Sequence, residues 1–332
     1  MGMVPIVKSI LGRYGPFLWL ALMLGFTVVF GMSHRTEIDR IRTLLIDADR
    51  TWLLALVLLE IVILVLVAAT YKSLLSGLGH QLRLVPLMGV HLQRVVVGTV
   101  TPVGGPSSML VFVHALRGRG VRPSDALLAV SIKSVVGNAA FLLILLPVVV
   151  MQRPTTMLLV STGGLIVIVA AMGSLLALTL RRAKPPAFLI RRLPRKGLRF
   201  LAQVRQHQID LKTLVSPFLL MMTTKLAGAL MLFFALHAVD NDPDIQVALT
   251  AYVVGMVVLL VAPVFQGIGF VEVGMALALQ RHGVPPAAAV GATLLCRAGE
   301  LWLPLIAGIA IQTTGTLARR IRNADPQPFP VS

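Results

Sequence analysis

Charge is what this sequence lacks most. Lys, Arg, Asp and Glu make up 13% of its 332 residues, against roughly a quarter in a soluble domain. The deficit falls on the acids, which number 13 beside 30 bases. A chain so poor in charge cannot cover an ordinary water-soluble domain. Cysteine is nearly absent too: Cys296 stands alone, which excludes an intrachain disulfide and a cysteine metal cluster. It is expected to pack as a small apolar residue. Also missing are a Gly-rich Lys-Ser/Thr phosphate loop, a His-Glu-x-x-His helix and any paired Cys/His spacing. Neither an ATP motor nor a metallohydrolase is therefore expected, and the chain is read as non-enzymatic and free of cofactors.

In place of charge there are long apolar runs, in a sequence that is 57% hydrophobic. A spanning helix needs roughly 20 mostly apolar residues. Six stretches qualify, at 14–33, 51–70, 124–150, 155–180, 216–239 and 286–313. Lys8 and Arg13 before the first run also suit a cleaved signal peptide, but no small-residue cleavage site follows it. The expected fold is an all-α integral membrane protein forming one membrane domain over 1–332.

The net charge of +17 would suit nucleic acid if the bases clustered on a soluble surface. Instead they lie in loops beside spans, as the positive-inside rule requires, and no nucleic-acid partner is expected. Residues 181–212 carry ten Lys/Arg against Asp210 alone, and the tail at 319–332 holds Arg319, Arg320 and Arg322. Asp240, Asp242 and Asp244 make an acidic loop. These put the basic loop, the tail and, by alternation, the N-terminus in the cytoplasm. Phe188, Leu189, Leu193, Phe200 and Leu201 interleave with the bases, so part of the basic loop is expected to lie at the interface as an amphipathic helix.

Two apolar stretches are too broken to be straight helices. Residues 84–116 contain Pro86, Pro102, Gly104, Gly105 and Pro106, and residues 247–281 contain Pro263, Gly267, Gly269 and Gly274. Proline removes a backbone donor and clashes with the preceding turn. Each stretch therefore reads as a re-entrant pair of short helices meeting at a Gly/Pro tip, which is tolerated at membrane depth only against protein or a polar cavity. The stretches also resemble each other. Gly120-Val121-Arg122-Pro123 with Ala126 follows the first, and Gly283-Val284-Pro285-Pro286 with Ala289 follows the second. A duplication results, with a first repeat at 51–150 and a second at 215–313. The first hairpin is flanked by basic, cytoplasmic loops and the second starts from the acidic, external one, so the copies are inverted. Inverted repeats with broken helices place a transporter's substrate site near the midplane.

Six charges fall inside the spans: Glu60, Lys133, Lys225, Glu272, Arg297 and Glu300. A charge at the bilayer centre costs about 2.5–3.5 kcal/mol on insertion scales, so each marks a functional site by default. Ion pairs that merely orient the helices are the plain alternative, and Arg297 with Glu300 at i,i+3 fits it. Asn138 and Gln266 are candidate polar companions. Lys133 and Arg297 lie 13 and 14 residues after their repeat glycines and read as rough counterparts facing one cavity. His91, Gln93 and Arg94 fit either the first hairpin's lining or the membrane interface.

The stretch Pro263-Val264-Phe265-Gln266-Gly267-Ile268-Gly269-Phe270-Val271-Glu272, then Gly283-Val284-Pro285, then Leu295-Cys296-Arg297-Ala298-Gly299-Glu300-Leu301-Trp302 resembles the C-terminal signature of the lysylphosphatidylglycerol synthase transmembrane-region family, the flippase-like proteins. Thr101-Pro102-Val103-Gly104-Gly105 resembles its N-terminal one. The sequence departs from the family at Phe265-Gln266, where Pro-Gly is usual, and at Lys133. The resemblance implies a domain that translocates phospholipids, with Glu272 and Arg297 on the motif's acidic and basic positions. A soluble synthase domain is not expected, since few residues follow the last basic cluster.

The expectation is thus a lipid translocase of the bacterial inner membrane. Backbone N–H groups at Gly104, Gly105, Gly267 and Gly269, with Arg297 and Lys133, would hold a lipid phosphate. Glu272 and Glu300 would receive a cationic head group or a coupling proton. The alternative is an accessory subunit presenting lipid to a partner synthase or glycosyltransferase, docked through the basic loop. Oligomeric state is left open.

Overall fold

Apolar runs that leave water must satisfy their backbone internally, and a helix does so within one segment. The computed structural model describes residues 42–101, 104–151, 156–180, 211–242, 244–261 and 267–324, and these contain helices and no strand. The expected span at 14–33, nearly all of the basic loop and the tail's last residues lie outside the described residues, as do Pro102, Val103 and the second junction with Pro263 and Gln266.

The chain divides into residues 1–48 and 49–332. In the former, the described part is a short helix at 42–46, followed by the Asp47 N–H bonded to the Thr43 carbonyl at 2.9 Å. The latter holds α1 (Arg50–Gly77), α2 (Leu84–Val100), α3 (Gly104–Arg117), α4 (Pro123–Met151), α5 (Thr156–Leu180), α6 (Leu211–Ala238), α7 (Ile245–Val261), α8 (Phe270–Arg281), α9 (Pro286–Arg297) and α10 (Leu303–Ala324). A π turn, Ala298–Trp302, joins α9 to α10. Among the described residues, four helical segments are long and apolar enough to cross a membrane: Arg50–Gly77, Pro123–Met151, Lys212–Ala238 and Pro286–Thr313. At 28 residues, α1 is roughly 42 Å long and exceeds a hydrocarbon core of about 30 Å.

Local chemistry sets the ends. The Asp49 carboxylate accepts the Thr51 N–H at 2.7 Å and caps α1. Thr101 is extended, with ψ 137°, and ends α2. Gly120 and Gly283 take φ +82° and +87°, a conformation glycine adopts without steric cost, and close α3 and α8 in the same way. The Val121 N–H reaches the Leu116 carbonyl at 3.2 Å, and the Val284 N–H reaches the Leu279 carbonyl at 3.2 Å. Pro123 and Pro286 then open the following helices, and Ala126 and Ala289 are both fully buried. The two similar sequence segments fold into the same turn.

Helices α1 and α6 run antiparallel at the centre. The Asp49 N–H bonds the Ala238 carbonyl at 3.0 Å at one end, and the Ser73 and Ser216 hydroxyls are 3.4 Å apart at the other. Helices α2 and α3 pack against each other as a hairpin, as do α7 and α8. One apolar core joins α2, α3 and the start of α4 to the C-terminal half of α1, around Tyr71, Leu75, Leu87 and Phe112. The other joins α7, α8 and α9 to the C-terminal half of α6, around Met231, Leu236, Val253 and Met275. Because the two leading helices are antiparallel, the two hairpins sit at opposite ends of the pair. Leu54, Leu58, Ile61 and Val62 of α1 remain exposed, as a face turned to acyl chains would be.

Candidate functional site

The in-span charges gather into two clusters of opposite character. In the second half, Arg297 of α9 is 5% exposed. Its Nε donates to Glu272 Oε1 at 2.9 Å, and its Nη1 lies 3.5 Å from Glu300 Oε2. Glu272 stands in the first turn of α8, and its other oxygen accepts the N–H of Gly269 at 2.6 Å. An acid at a helix N-terminus meets both unsatisfied N–H groups and the positive end of the dipole. Gly269 caps the helix at φ +87°. Glu300 lies in the π turn, a widened turn common at functional sites, with the Tyr252 hydroxyl beside it. The backbone at Gly228 makes room for that tyrosine: a Cβ there would lie 2.1 Å from its hydroxyl oxygen. Glu60 of α1 faces Glu300.

The first half collects cations. The hydroxyl of Tyr71, a fully buried residue, accepts a hydrogen bond from Arg94 Nη1. Lys133 Nζ sits 5.3 Å from the centre of the same ring, within cation–π range. His91 lies beside both cations, its ring 6.5 Å from that of Tyr71 and its buried Nδ1 without a hydrogen bond. Among the described residues, no carboxylate comes within 4.0 Å of Arg94 or Lys133. Lys225 of α6 lies between the clusters. Its Nζ is 3.9 Å from Met256 Sδ and 5.9 Å from the Phe141 ring centre, and it feels both Lys133 and Glu300. Lys133, Lys225 and Glu300 keep some accessible surface although protein surrounds their charged ends.

Of the residues singled out in the sequence, Glu272, Arg297 and Glu300 come together, and Lys133 does not join them. The Gly269 N–H is already donated to Glu272. Gly267, buried at φ +70°, lies just before that cap, and Gly104 and Gly105 form the first turn of α3. Asn138 is half-buried and makes no hydrogen bond among the described residues; five residues beyond Lys133, it lies about 140° further round α4. Gln266 is outside the described residues. Sequence reasoning missed Tyr71 and Tyr252, and it left Arg94 between the hairpin lining and the interface. The available signal was scarcity: the chain has three tyrosines, and two of them anchor the clusters.

A family model described as "Lysylphosphatidylglycerol synthase TM region" matches residues 17–308. No curated protein matches the chain.

Proposed function

Because the chain belongs to the lysylphosphatidylglycerol synthase transmembrane-region family, we infer that its buried clusters serve a membrane lipid, and we propose that it is a non-enzymatic phospholipid translocase. The observation that carries this reading is the pair of cations Arg94 and Lys133 on Tyr71, beside His91, with no carboxylate in ion-pair range among the described residues. An uncompensated charge in a low-dielectric site is costly, and a lipid phosphate is the anion that a membrane supplies there. Arg297, in contrast, is engaged by two acids, so it serves as a clamp and Lys133 with Arg94 as the phosphate site.

In this reading the chain crosses the bacterial inner membrane six times with both ends in the cytoplasm, and the two hairpins are re-entrant from opposite faces. Half-helix ends meeting near the midplane are how many secondary transporters build their sites. The cationic pocket opens toward the cytoplasmic leaflet and the acidic cluster toward the outer one, where it receives a cationic head group.

The test is transfer between leaflets. Purified protein in liposomes should move fluorescent phospholipid, and Arg94→Met together with Lys133→Met should abolish movement while the protein stays monodisperse. Absence of movement with anionic, zwitterionic and aminoacylated lipids alike would sink the translocase reading. Lipid that binds without moving would favour an accessory subunit presenting lipid to a partner synthase or glycosyltransferase; the run of ten bases at 181–212 would then be its docking surface.

A further inference from the structure

Glu60 takes no part in the clamp, yet it is 8% exposed and its Oε2 has no hydrogen-bond partner. It lies eleven residues before Tyr71 on α1, about 16 Å along the axis toward the helix N-terminus. Its charged neighbour is Glu300, of the same sign.

The groups around this pair can be counted. The π turn contributes Glu300, α9 contributes Cys296 and Arg297, and α8 contributes Glu272. Helix α7 contributes the Tyr252 hydroxyl, beside Glu300, and α6 contributes Lys225, facing Glu300. The buried titratable groups of α2 and α4, His91, Arg94 and Lys133, form the other cluster. Three carboxylates (Glu60, Glu272 and Glu300) thus meet one ion-paired cation, Arg297, with Lys225 facing Glu300 outside ion-pair range, and negative charge is left over. An unpaired carboxylate at membrane depth neutralises by taking up a cation. Among the described residues no group of three or more His, Cys, Asp or Glu side chains is placed to hold a metal ion. A proton needs only one carboxylate oxygen.

We propose that Glu60 and Glu300 share one exchangeable proton and form the ion-coupling site of the transporter. The coupling role rests on the translocase reading; the proton site does not. Binding is a simple equilibrium in which a carboxylate takes a proton from water on one side and, after rearrangement, releases it to water on the other. Lys225 feels both clusters, so an anion arriving at Lys133 changes the field at Glu300.

The experiment uses the full chain in liposomes and infrared spectroscopy. The wild type should show a protonated-carboxyl C=O stretch that shifts in D2O and is lost as the buffer is made alkaline. Glu60→Gln should remove it, and Glu60→Asp should restore it at a shifted frequency. Asp125→Asn, which alters a buried acid bonded to His80 at 2.7 Å away from the cluster, should leave it intact. A wild type without this band at any pH, or a band that persists in Glu60→Gln, overturns the proton site. A second arm imposes a pH gradient during lipid transfer. Wild-type movement should accelerate and Glu60→Gln should lose that acceleration, while a wild type indifferent to the gradient overturns the coupling role. If the band behaves as expected and no lipid moves, the translocase reading fails and the proton site stands.

Discussion

In the first half of the protein a leading span, a hairpin of two short helices and a closing span enclose Tyr71, His91, Arg94 and Lys133, with no acid in ion-pair range among the described residues. In the second half the corresponding elements enclose Tyr252, Glu272, Arg297 and Glu300, where the arginine is held by two acids. The same scaffold therefore carries two kinds of polar interior. In the second, Arg297 is closed on Glu272 and Glu300, so those bonds stabilise the fold. The first holds Arg94 and Lys133 with no acid beside them among the described residues, which is what the proposed phosphate site requires. Removing a charge should consequently have opposite consequences in the two halves, and this contrast can be broken by measurement.

The largest effect is expected for Arg297→Ala. Breaking a buried ion pair by removing one partner costs about 3–5 kcal/mol, here leaving Glu272 and Glu300 without their cation, and thermal unfolding in detergent should register it as a large fall in Tm. Gly228→Ala should come next. A Cβ 2.1 Å from the Tyr252 hydroxyl oxygen forces that ring off Glu300, and overpacking typically costs about 1–3 kcal/mol. A smaller loss, about 1 kcal/mol, is expected for Asp49→Ala, which removes the side-chain cap of α1 and should leave lipid transfer unchanged. Smallest in stability, but complete in function, is Lys133→Met. It relieves an unpaired buried charge, so Tm should hold or rise while lipid transfer is lost. If Lys133→Met and Arg297→Ala destabilise the protein equally, the contrast between the halves is wrong.

Much of the architecture could be read from residues alone. Pro102 with Gly104 and Pro263 with Gly267 announced two interruptions, and the structure ends α2 at Val100 and α7 at Val261. The Gly-Val pairs at 120 and 283 announced a duplication, and the structure gives both pairs the same turn with matching hydrogen bonds. The site was legible only in part. Arg297 and Glu300 are close in sequence, and their pairing needed only helical spacing. Lys133 was read as facing one cavity with Arg297, but it packs on Tyr71 with Arg94. The π turn at Ala298–Trp302, which positions Glu300, has no sequence signature that the reading used. Glu60 looked like an isolated charge until α1 and the π turn were brought together.

What the sequence determined by itself is local: apolar runs of spanning length, the caps and breaks that bound them, and the duplication of those signals. Each arises from the conformational preferences of a few adjacent residues. What only the tertiary structure decided is which buried charges meet, Glu60 with Glu300 and Arg94 with Lys133. The reason is that a side chain's partner depends on how its helix is rotated and crossed by others, which is set by packing over the whole molecule.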